Sequence, residues 1–256
     1  MIFDSHAHYN DGRFDPDRDA VLSAMPEKGV GYIMNACSSV DEFDGIKNII
    51  EKYPFVYGAA GVHPHEAENM TDSDLEKISE FAAHPKVKAI GEIGLDYYYD
   101  NSPRDTQRFW FSQQVGLAVD LDMPIIIHDR DAHADTMDIL RKHDIRKIGG
   151  VFHCYTGSAE MAKEVLDMNL YIAFGGSLTF KKAQKPIEAA RSIPLEKIVI
   201  ETDCPYLTPE PHRGKRNSSE YIRYVAEKLA EIKGVSCEEI IRVTAENAKR
   251  VFRIED

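Results

Sequence analysis

The stretch Arg104–His128, RDTQRFWFSQQVGLAVDLDMPIIIH, carries the pattern on which the fold prediction rests. Its first part, Arg104 to Leu121, has apolar residues that recur every three or four positions, which is typical of an amphipathic helix. The apolar run that follows, Pro124 to His128, is typical of a buried strand in a parallel sheet. A helix followed by a buried strand is the repeating unit of α/β folds.

The same alternation extends along the chain in both directions. Eight short apolar runs are separated by helix-patterned segments, and they are Met1 to His6, Gly31 to Ala36, Val56 to Val62, Val87 to Leu95, Pro124 to His128, Gly150 to His153, Leu170 to Phe174 and Ile198 to Asp203. Two further helices are expected at Ser219 to Ile232 and Ser236 to Val251, the second with Ser236 as its N-cap. The pattern favours a (β/α)8 TIM barrel over an open doubly wound sheet, as a single domain over residues 1–256.

Composition limits the kinds of function. The chain has 31 Lys and Arg against 43 Asp and Glu residues, for a formal net charge of -12, which argues against a protein that coats long nucleic acid with a broad basic face. Its four cysteines form no C-x-x-C pair, so reduced thiols are expected. With no signal-peptide pattern and no run of membrane-spanning length, we expect a cytoplasmic protein without membrane contact or an obligate protein partner.

Potential metal ligands end five of the eight runs. In a barrel of this kind the active site lies at the carboxyl ends of the strands, so a polar residue that ends an apolar run is informative. The residues of this kind are His6, His8, Glu92, His128, His153 and Asp203. Four imidazoles and two carboxylates are too many for one tetrahedral zinc but suit two divalent cations, with Glu92 between them.

Strand parity supports a common site. Successive side chains of a strand point to opposite faces, so His6 and His8 both point to the barrel axis. By the same alternation Glu201 lies one layer below Asp203, while Thr202 faces the helices. A buried glutamate is costly unless it is bonded, so we interpret Glu201 as a group that orients the ligands.

The ligand types also suggest the chemistry. Imidazole-rich sites suit zinc, manganese, nickel or iron, and magnesium, which prefers oxygen ligands, stays open. Two cations that share a bridging water would generate the attacking hydroxide, with Asp203 as general base and Glu92 as the shared ligand. We expect the glycines on either side of Glu92 to leave room beside its carboxylate.

Five motifs resemble those of the TatD family of metal-dependent hydrolases. They are DSHAH (4–8), GVHPH (61–65), GEIGLD (91–96), HCYTG (153–157) and ETDCPYL (201–207). The resemblance implies an amidohydrolase-like TIM barrel, divalent metals held by the six residues named above, and deoxyribonuclease activity, often removal of nucleotides from the 3' end of single-stranded DNA. Residues 213–217 also resemble the family, but Ser218-Ser219 stands where many members carry Glu-Pro, which was expected to affect only loop shape.

Further residues are candidates for binding a DNA end or another phosphodiester. His63 ends the third run and is expected to contact substrate or else to shape a polar loop. Arg213, Lys215 and Arg216 form a basic cluster that suits a phosphate or else is a solvated loop. Tyr155 follows a ligand, so its ring is expected to stack on a base or else to pack at the mouth.

Two other functions stay open from the residues alone. A hydrolase of a carboxylic ester, lactone, amide or aminoacyl bond would use the same metal scaffold, because a shared hydroxide-generating centre does not separate these reactions. The other alternative is a metal-binding protein without catalysis.

Overall fold

Eight parallel strands form the centre of the protein, whose computed structural model describes residues 1–255. The strands are β1 (Ile2–Ala7), β2 (Val30–Asn35), β3 (Val56–Ala60), β4 (Val87–Asp96), β5 (Ile125–Arg130), β6 (Gly150–Phe152), β7 (Leu170–Phe174) and β8 (Ile198–Ile200). Each strand pairs with the next one in sequence. The ring closes where the His8 backbone N–H donates to the Cys204 carbonyl at 2.7 Å. The predicted (β/α)8 barrel is confirmed.

Helices alternate with the strands and surround them. They are α1 (Arg18–Ala24), α2 (Phe43–Lys52), α3 (Asp72–Ala82), α4 (Arg104–Asp120), α5 (His133–Lys142), α6 (Ala159–Asp167), α7 (Gln184–Ser192), α8 (Ile222–Lys233) and α9 (Cys237–Val251). Ser236 caps α9 as predicted, because its side chain accepts from the Glu239 N–H. The segment predicted as one helix from Ser219 begins with a 3-10 turn, Ser219–Tyr221, before α8.

The polar ends of two apolar runs lie beyond the strands. β6 ends at Phe152 and β8 at Ile200, so His153 and Asp203, which were predicted as strand residues, lie in the connections that follow. The backbone turns there: φ is 45° at Cys154 and 56° at Asp203, in the left-handed region that ends a strand ladder. Both side chains still point to the mouth of the barrel, meaning the carboxyl ends of its strands.

A layer of apolar side chains fills the barrel below the mouth. Its buried members include Phe3, Met34, Ala59, Ala89, Ile126, Val151, Ala173 and Val199. Three of these, Ile126, Val151 and Val199, point into the barrel on the strands that lead to His128, His153 and Asp203. α9 covers the opposite end, where Phe252 packs on Phe3 with ring centroids 5.9 Å apart. Within residues 1–255, the longest apolar helical stretches fall short of what is needed to cross a membrane.

Candidate metal centre

The carboxylate of Glu92 lies at the centre of the mouth with imidazoles on both of its oxygens. Oε2 lies 3.2 Å from His6 Nε2 and 3.5 Å from His8 Nε2. Oε1 lies 2.8 Å from His128 Nδ1 and 3.0 Å from His153 Nε2. One buried carboxylate therefore faces two pairs of imidazoles, an arrangement that suits a ligand shared by two cations.

Asp203 adds a second carboxylate to the side of the centre formed by His6 and His8. Its Oδ1 lies 3.4 Å from His8 Nε2 and 3.8 Å from His6 Nε2, and the two Nε2 atoms are 3.0 Å apart. The structure thus brings all six predicted ligands together. Nitrogen and carboxylate oxygen atoms converging this closely fit a divalent cation of the zinc or manganese type.

Outer hydrogen bonds select which ring nitrogen of each histidine is free to bind a metal. His8 Nδ1 lies 3.2 Å from the Ala36 carbonyl, which only accepts, so His8 carries its proton there and presents the Nε2 lone pair to the centre. His128 Nε2 lies 3.2 Å from Asp96 Oδ2, which leaves Nδ1 toward Glu92. Both rings are therefore held in the form that a metal ligand needs.

Glu201 lies one layer below the ligands and is completely buried. Its Oε1 accepts the Cys154 backbone N–H at 2.7 Å and lies 3.3 Å from His153 Nδ1. The contact is on the side of the His153 ring away from Glu92. This position supports the interpretation of Glu201 as a group that orients His153.

Burial and neighbouring charges compete in setting the pKa of each group. Burial disfavours the charged carboxylate of Glu92, but the imidazoles around it, led by His153, hold its pKa well below the usual range. Burial likewise disfavours charge on His153, but the carboxylates of Glu92 and Glu201 raise the pKa of that imidazole well above its usual value. For Asp203, burial disfavours the charged form, but the hydrogen bond with His8 and the imidazoles of His153 and His6 together lower the pKa. Both carboxylates are therefore ionised at neutral pH, as metal ligands must be.

Two glycines let β4 approach β5 where Glu92 enters the mouth. A Cβ on Gly91 would lie 2.7 Å from Ile126 Cβ, and one on Gly94 would lie 1.9 Å from the His128 carbonyl oxygen. The expectation that these glycines leave room beside the carboxylate is therefore corrected. They allow close contact between two strands that both carry ligands.

A cavity of about 550 Å³ opens above the ligands. Besides the ligands, its lining includes His63, His65, Asp96, Tyr99, Arg130 and Tyr206. His63 is where the sequence analysis placed it, with Nε2 3.7 Å from Glu92 Oε1. No role was predicted for Arg130, although Arg130 follows His128 by two positions and so shares its parity.

Asp96 is a buried carboxylate that supports this side of the mouth. Its Oδ2 lies 2.8 Å from His65 Nε2 as well as beside His128, and its Oδ1 accepts the backbone N–H groups of Tyr98 and Tyr99 at 3.0 and 2.9 Å. Burial disfavours its charge, but the hydrogen bonds from His128 and His65 lower its pKa. Asp96 is therefore ionised and fixes two imidazoles at once.

Arg130 brings a positive charge to the same cavity. Its guanidinium carbon lies 4.2 Å from the centre of the Tyr98 ring and 4.7 Å from that of Tyr99. Within residues 1–255 it forms no ion pair with a carboxylate. The guanidinium is thus held by two aromatic rings, with its hydrogen-bond donors available to an anion.

Tyr155 does not reach the cavity. The residue is 1% exposed, its ring packs against Phe152 and Phe174, and its hydroxyl donates to the Ser158 carbonyl at 2.6 Å. The expectation that it stacks on a base is corrected, because its ring lies in the layer between strands and helices.

The basic cluster after β8 also lies outside the cavity. Arg216 pairs with Asp17 at 2.7 Å, which ties the loop after β8 to the loop after β1. The Arg213 guanidinium lies 3.7 Å from the centre of the Phe180 ring, and Lys215 is exposed. The expectation that all three hold a phosphate beside the metals is therefore corrected, because Arg216 is already paired and none of them lines the cavity.

Comparisons with known proteins agree with this site. A family model described as TatD related DNase matches residues 3–253. An uncharacterized metal-dependent hydrolase of Bacillus subtilis (strain 168) is 48% identical over 254 residues, which cover 99% of this chain and 100% of that protein. The 3'-5' ssDNA/RNA exonuclease TatD of Musicola paradisiaca is 32% identical, with 99% of this chain and 98% of that protein covered.

A solved structure shows the same likeness in three dimensions. The TatD homolog YJJV of Escherichia coli K12 superposes with a TM-score of 0.93 at 29% identity, and the match covers 99% of this chain and 98% of that one. Sequence motifs, barrel and family model thus agree over nearly the whole length. The chain belongs to the TatD family of metal-dependent hydrolases.

Proposed function

We propose that this hydrolase cleaves phosphodiester bonds and removes nucleotides from the 3' end of single-stranded DNA. The observation that carries the proposal is the Glu92 carboxylate with a pair of imidazoles on each oxygen, beside a cavity that also contains the unpaired cation Arg130. A phosphodiester is an anion, so a cation in the cavity favours it over a neutral ester or amide. The exonuclease name of the Musicola paradisiaca relative supports the same reaction.

Two groups of ligands would each hold a divalent cation, with Glu92 common to both. The first group is His6, His8 and Asp203, and the second is His128 and His153. When bound, such cations polarise a phosphoryl oxygen and lower the pKa of the attacking water. Zinc, manganese, nickel and magnesium are the candidates.

Asp203 is the proposed general base. Its Oδ1 faces His8, so Oδ2 is the atom that accepts the proton of the attacking water. The lowered pKa keeps this carboxylate ionised at neutral pH, as a base must be. Glu92 holds the two ligand groups at a fixed separation, because each of its oxygens faces one of them.

His63 is the proposed donor to the substrate. Its Nδ1 accepts the His65 backbone N–H at 3.2 Å, so the neutral ring carries its proton on Nε2. Burial lowers the pKa of His63 well below the usual value, which keeps the ring neutral. The Nε2–H faces the cavity and can donate to a phosphoryl oxygen.

Arg130 is the proposed binding group for a phosphate oxygen. A guanidinium offers parallel N–H donors that match two oxygens of one phosphate. The rings of Tyr98 and Tyr99 limit the positions that this side chain can take.

A metal-restoration assay tests the proposal. Metal-stripped protein is supplied in turn with zinc, manganese, nickel or magnesium and given single-stranded DNA labelled at either end, or a chromogenic carboxyl ester. We expect shortening from the 3' end with at least one cation, and a loss of about 10²- to 10⁴-fold in Asp203→Asn with the fold retained. Ester turnover without DNA shortening under any cation would reject the nuclease in favour of the ester, lactone, amide or aminoacyl hydrolase. No turnover of either substrate would favour a metal-binding protein without catalysis.

A further inference from the structure

A second groove, of about 390 Å³, lies beside the metal cavity at the same end of the barrel. Thr156, from the loop after β6, forms one side of it, and Ser177 and Phe180, from the loop after β7, form another. Lys182 and Lys185 border it where α7 begins. We call it the lysine groove.

Only a layer of packed backbone separates the lysine groove from the metal cavity. Leu207 lines the cavity, and its carbonyl oxygen would lie 1.9 Å from a Cβ on Gly176. The next residue, Ser177, lines the groove. A chain molecule that leaves the cavity on this side and crosses over this layer therefore meets the groove.

The lysine groove concentrates unpaired positive charge on an acidic protein. Lys182 and Lys185 are exposed, and the Arg213 guanidinium lies 3.7 Å from the centre of the Phe180 ring. Within the described residues, none of these three cations forms an ion pair with a carboxylate. These cations lie together on a chain whose formal net charge is -12.

We propose that the lysine groove binds the sugar-phosphate backbone of a single-stranded nucleic acid whose end lies in the metal cavity. Lys182 and Lys185 contact phosphates, and the Phe180 ring offers an aromatic surface for a base, with Arg213 packed on it. The proposal rests on the phosphodiesterase function above, since the cavity supplies the end of the strand. An acidic peptide would match the lysines but would make no use of the aromatic ring or of the metal centre beside the groove.

The consequence is a dependence on substrate length. A dinucleotide fits within the metal cavity and gains nothing from the groove, whereas a longer strand gains phosphate contacts. Each phosphate contact on a single strand contributes about 0.7 to the slope of log Kd against log salt concentration. The groove thus predicts tighter and more salt-sensitive binding for long strands than for short ones.

Binding can be measured apart from turnover. Fluorescence anisotropy on the metal-loaded full chain would compare a labelled phosphorothioate dinucleotide, a long phosphorothioate oligothymidylate and polyglutamate. The test variant is Lys182→Glu/Lys185→Glu. The matched control is Lys142→Glu/Lys147→Glu, which changes two exposed, unpaired lysines at the other end of the barrel.

In the test variant we expect the Kd of the long strand to rise at least about tenfold and its salt slope to fall by roughly 0.7 per lost contact, with the dinucleotide unchanged. An equal effect in the control variant, or no effect in the test variant, would overturn the proposal. Equal binding of polyglutamate would overturn the assignment to nucleic acid. Length-dependent binding without DNA cleavage would retain the groove and reject the exonuclease, so the two failures are distinguishable.

Discussion

The two sides of the metal centre are supported in different ways. On the β1–β8 side, the buried carboxylate of Asp4 accepts the Thr202 backbone N–H at 2.9 Å and the hydroxyls of Thr202 and Ser219, each at 2.6 Å. On the β4–β5 side, the buried carboxylate of Asp96 contacts the His128 ring itself. The first aspartate holds backbone and hydroxyl groups, whereas the second holds two imidazoles in addition to backbone N–H groups. We therefore expect the contacts of Asp4 to govern folding stability and those of Asp96 to govern metal affinity.

The support on the β1–β8 side extends into the start of the helical segment after β8. The Tyr9 hydroxyl donates to Ser219 Oγ at 2.8 Å and accepts the Ser219 backbone N–H at 2.9 Å. Ser219, which stands where many TatD relatives have another residue, thus reaches Asp4, two positions before His6. The expectation that this departure affects only loop shape is corrected, because the side chain belongs to a buried network. Thr202 faces away from the mouth, as predicted.

The largest effect is expected from Glu92→Ala, because Glu92 is the residue that the two sides share. Without Glu92 neither pair of imidazoles faces a carboxylate oxygen. We expect metal affinity to fall by more than about 100-fold, which exceeds the loss typical of a residue that only hydrogen-bonds to a metal ligand. Metal content after dialysis, measured by mass spectrometry, checks this. Glu66→Ala, at an exposed residue that also lines the cavity, is the control and should keep its metal. Full metal content in Glu92→Ala would show that Glu92 is not a ligand shared by the two cations.

A smaller effect on the metal, with little effect on folding, is expected from Asp96→Asn. The amide oxygen can still accept the backbone hydrogen bonds that Asp96 Oδ1 accepts. The NH2 group, however, would face His128 Nε2 and favour the tautomer with its proton on Nδ1, the nitrogen that is needed for the metal. We expect metal affinity to fall about 10- to 100-fold. Competition with a chelating dye measures it, and Asp105→Asn, at an exposed aspartate, is the control. A lower unfolding midpoint with unchanged metal affinity would mean that Asp96 supports folding and not the metal site.

The opposite pattern is expected from Ser219→Ala. Loss of one hydrogen bond to a buried carboxylate should lower the free energy of unfolding by about 1–2 kcal/mol, with metal affinity nearly unchanged. Urea unfolding of the metal-free protein gives the first quantity and dye competition the second. Ser218→Ala provides a neighbouring control, because the Ser218 hydroxyl donates to partly exposed Glu220 rather than to a buried group. Equal destabilisation in both variants would show that Asp4 needs no such donor.

The convergence of the predicted ligands could be expected from the sequence because each of them depends on a local pattern. An apolar run that ends in a histidine or a carboxylate, together with the alternation of strand side chains, was enough to place His128, His153 and Asp203 at one mouth. The same rule, applied two positions beyond His128, would have found Arg130. The fold followed from the repetition of that pattern along the chain.

The supporting contacts were not predictable, because they join residues that are far apart in sequence. Asp4 and Thr202 are separated by 198 positions, and Arg216 and Asp17 by 199. Nothing in the pattern around Arg216 shows which loop will fold against it. The prediction that Tyr155 stacks on a base was wrong for a related reason. The backbone turns at Cys154, so the Tyr155 ring points into the core instead of the mouth.

The smallest effect is expected from Arg216→Ala. The Arg216 guanidinium is engaged by Asp17 and by the carbonyl of Arg13, to which it donates at 2.7 Å, and it does not line the metal cavity. We therefore expect unchanged metal content and unchanged kcat/KM for a dinucleotide, since neither side of the centre loses a contact. Steady-state kinetics on the metal-loaded protein checks this, with Arg130→Ala as the contrasting variant, whose KM should rise because a phosphate loses its guanidinium. If kcat/KM fell as much in Arg216→Ala as in Arg130→Ala, the loop after β8 would help to position the substrate. The contacts that support the metal centre would then include the Arg216–Asp17 pair between the outer loops.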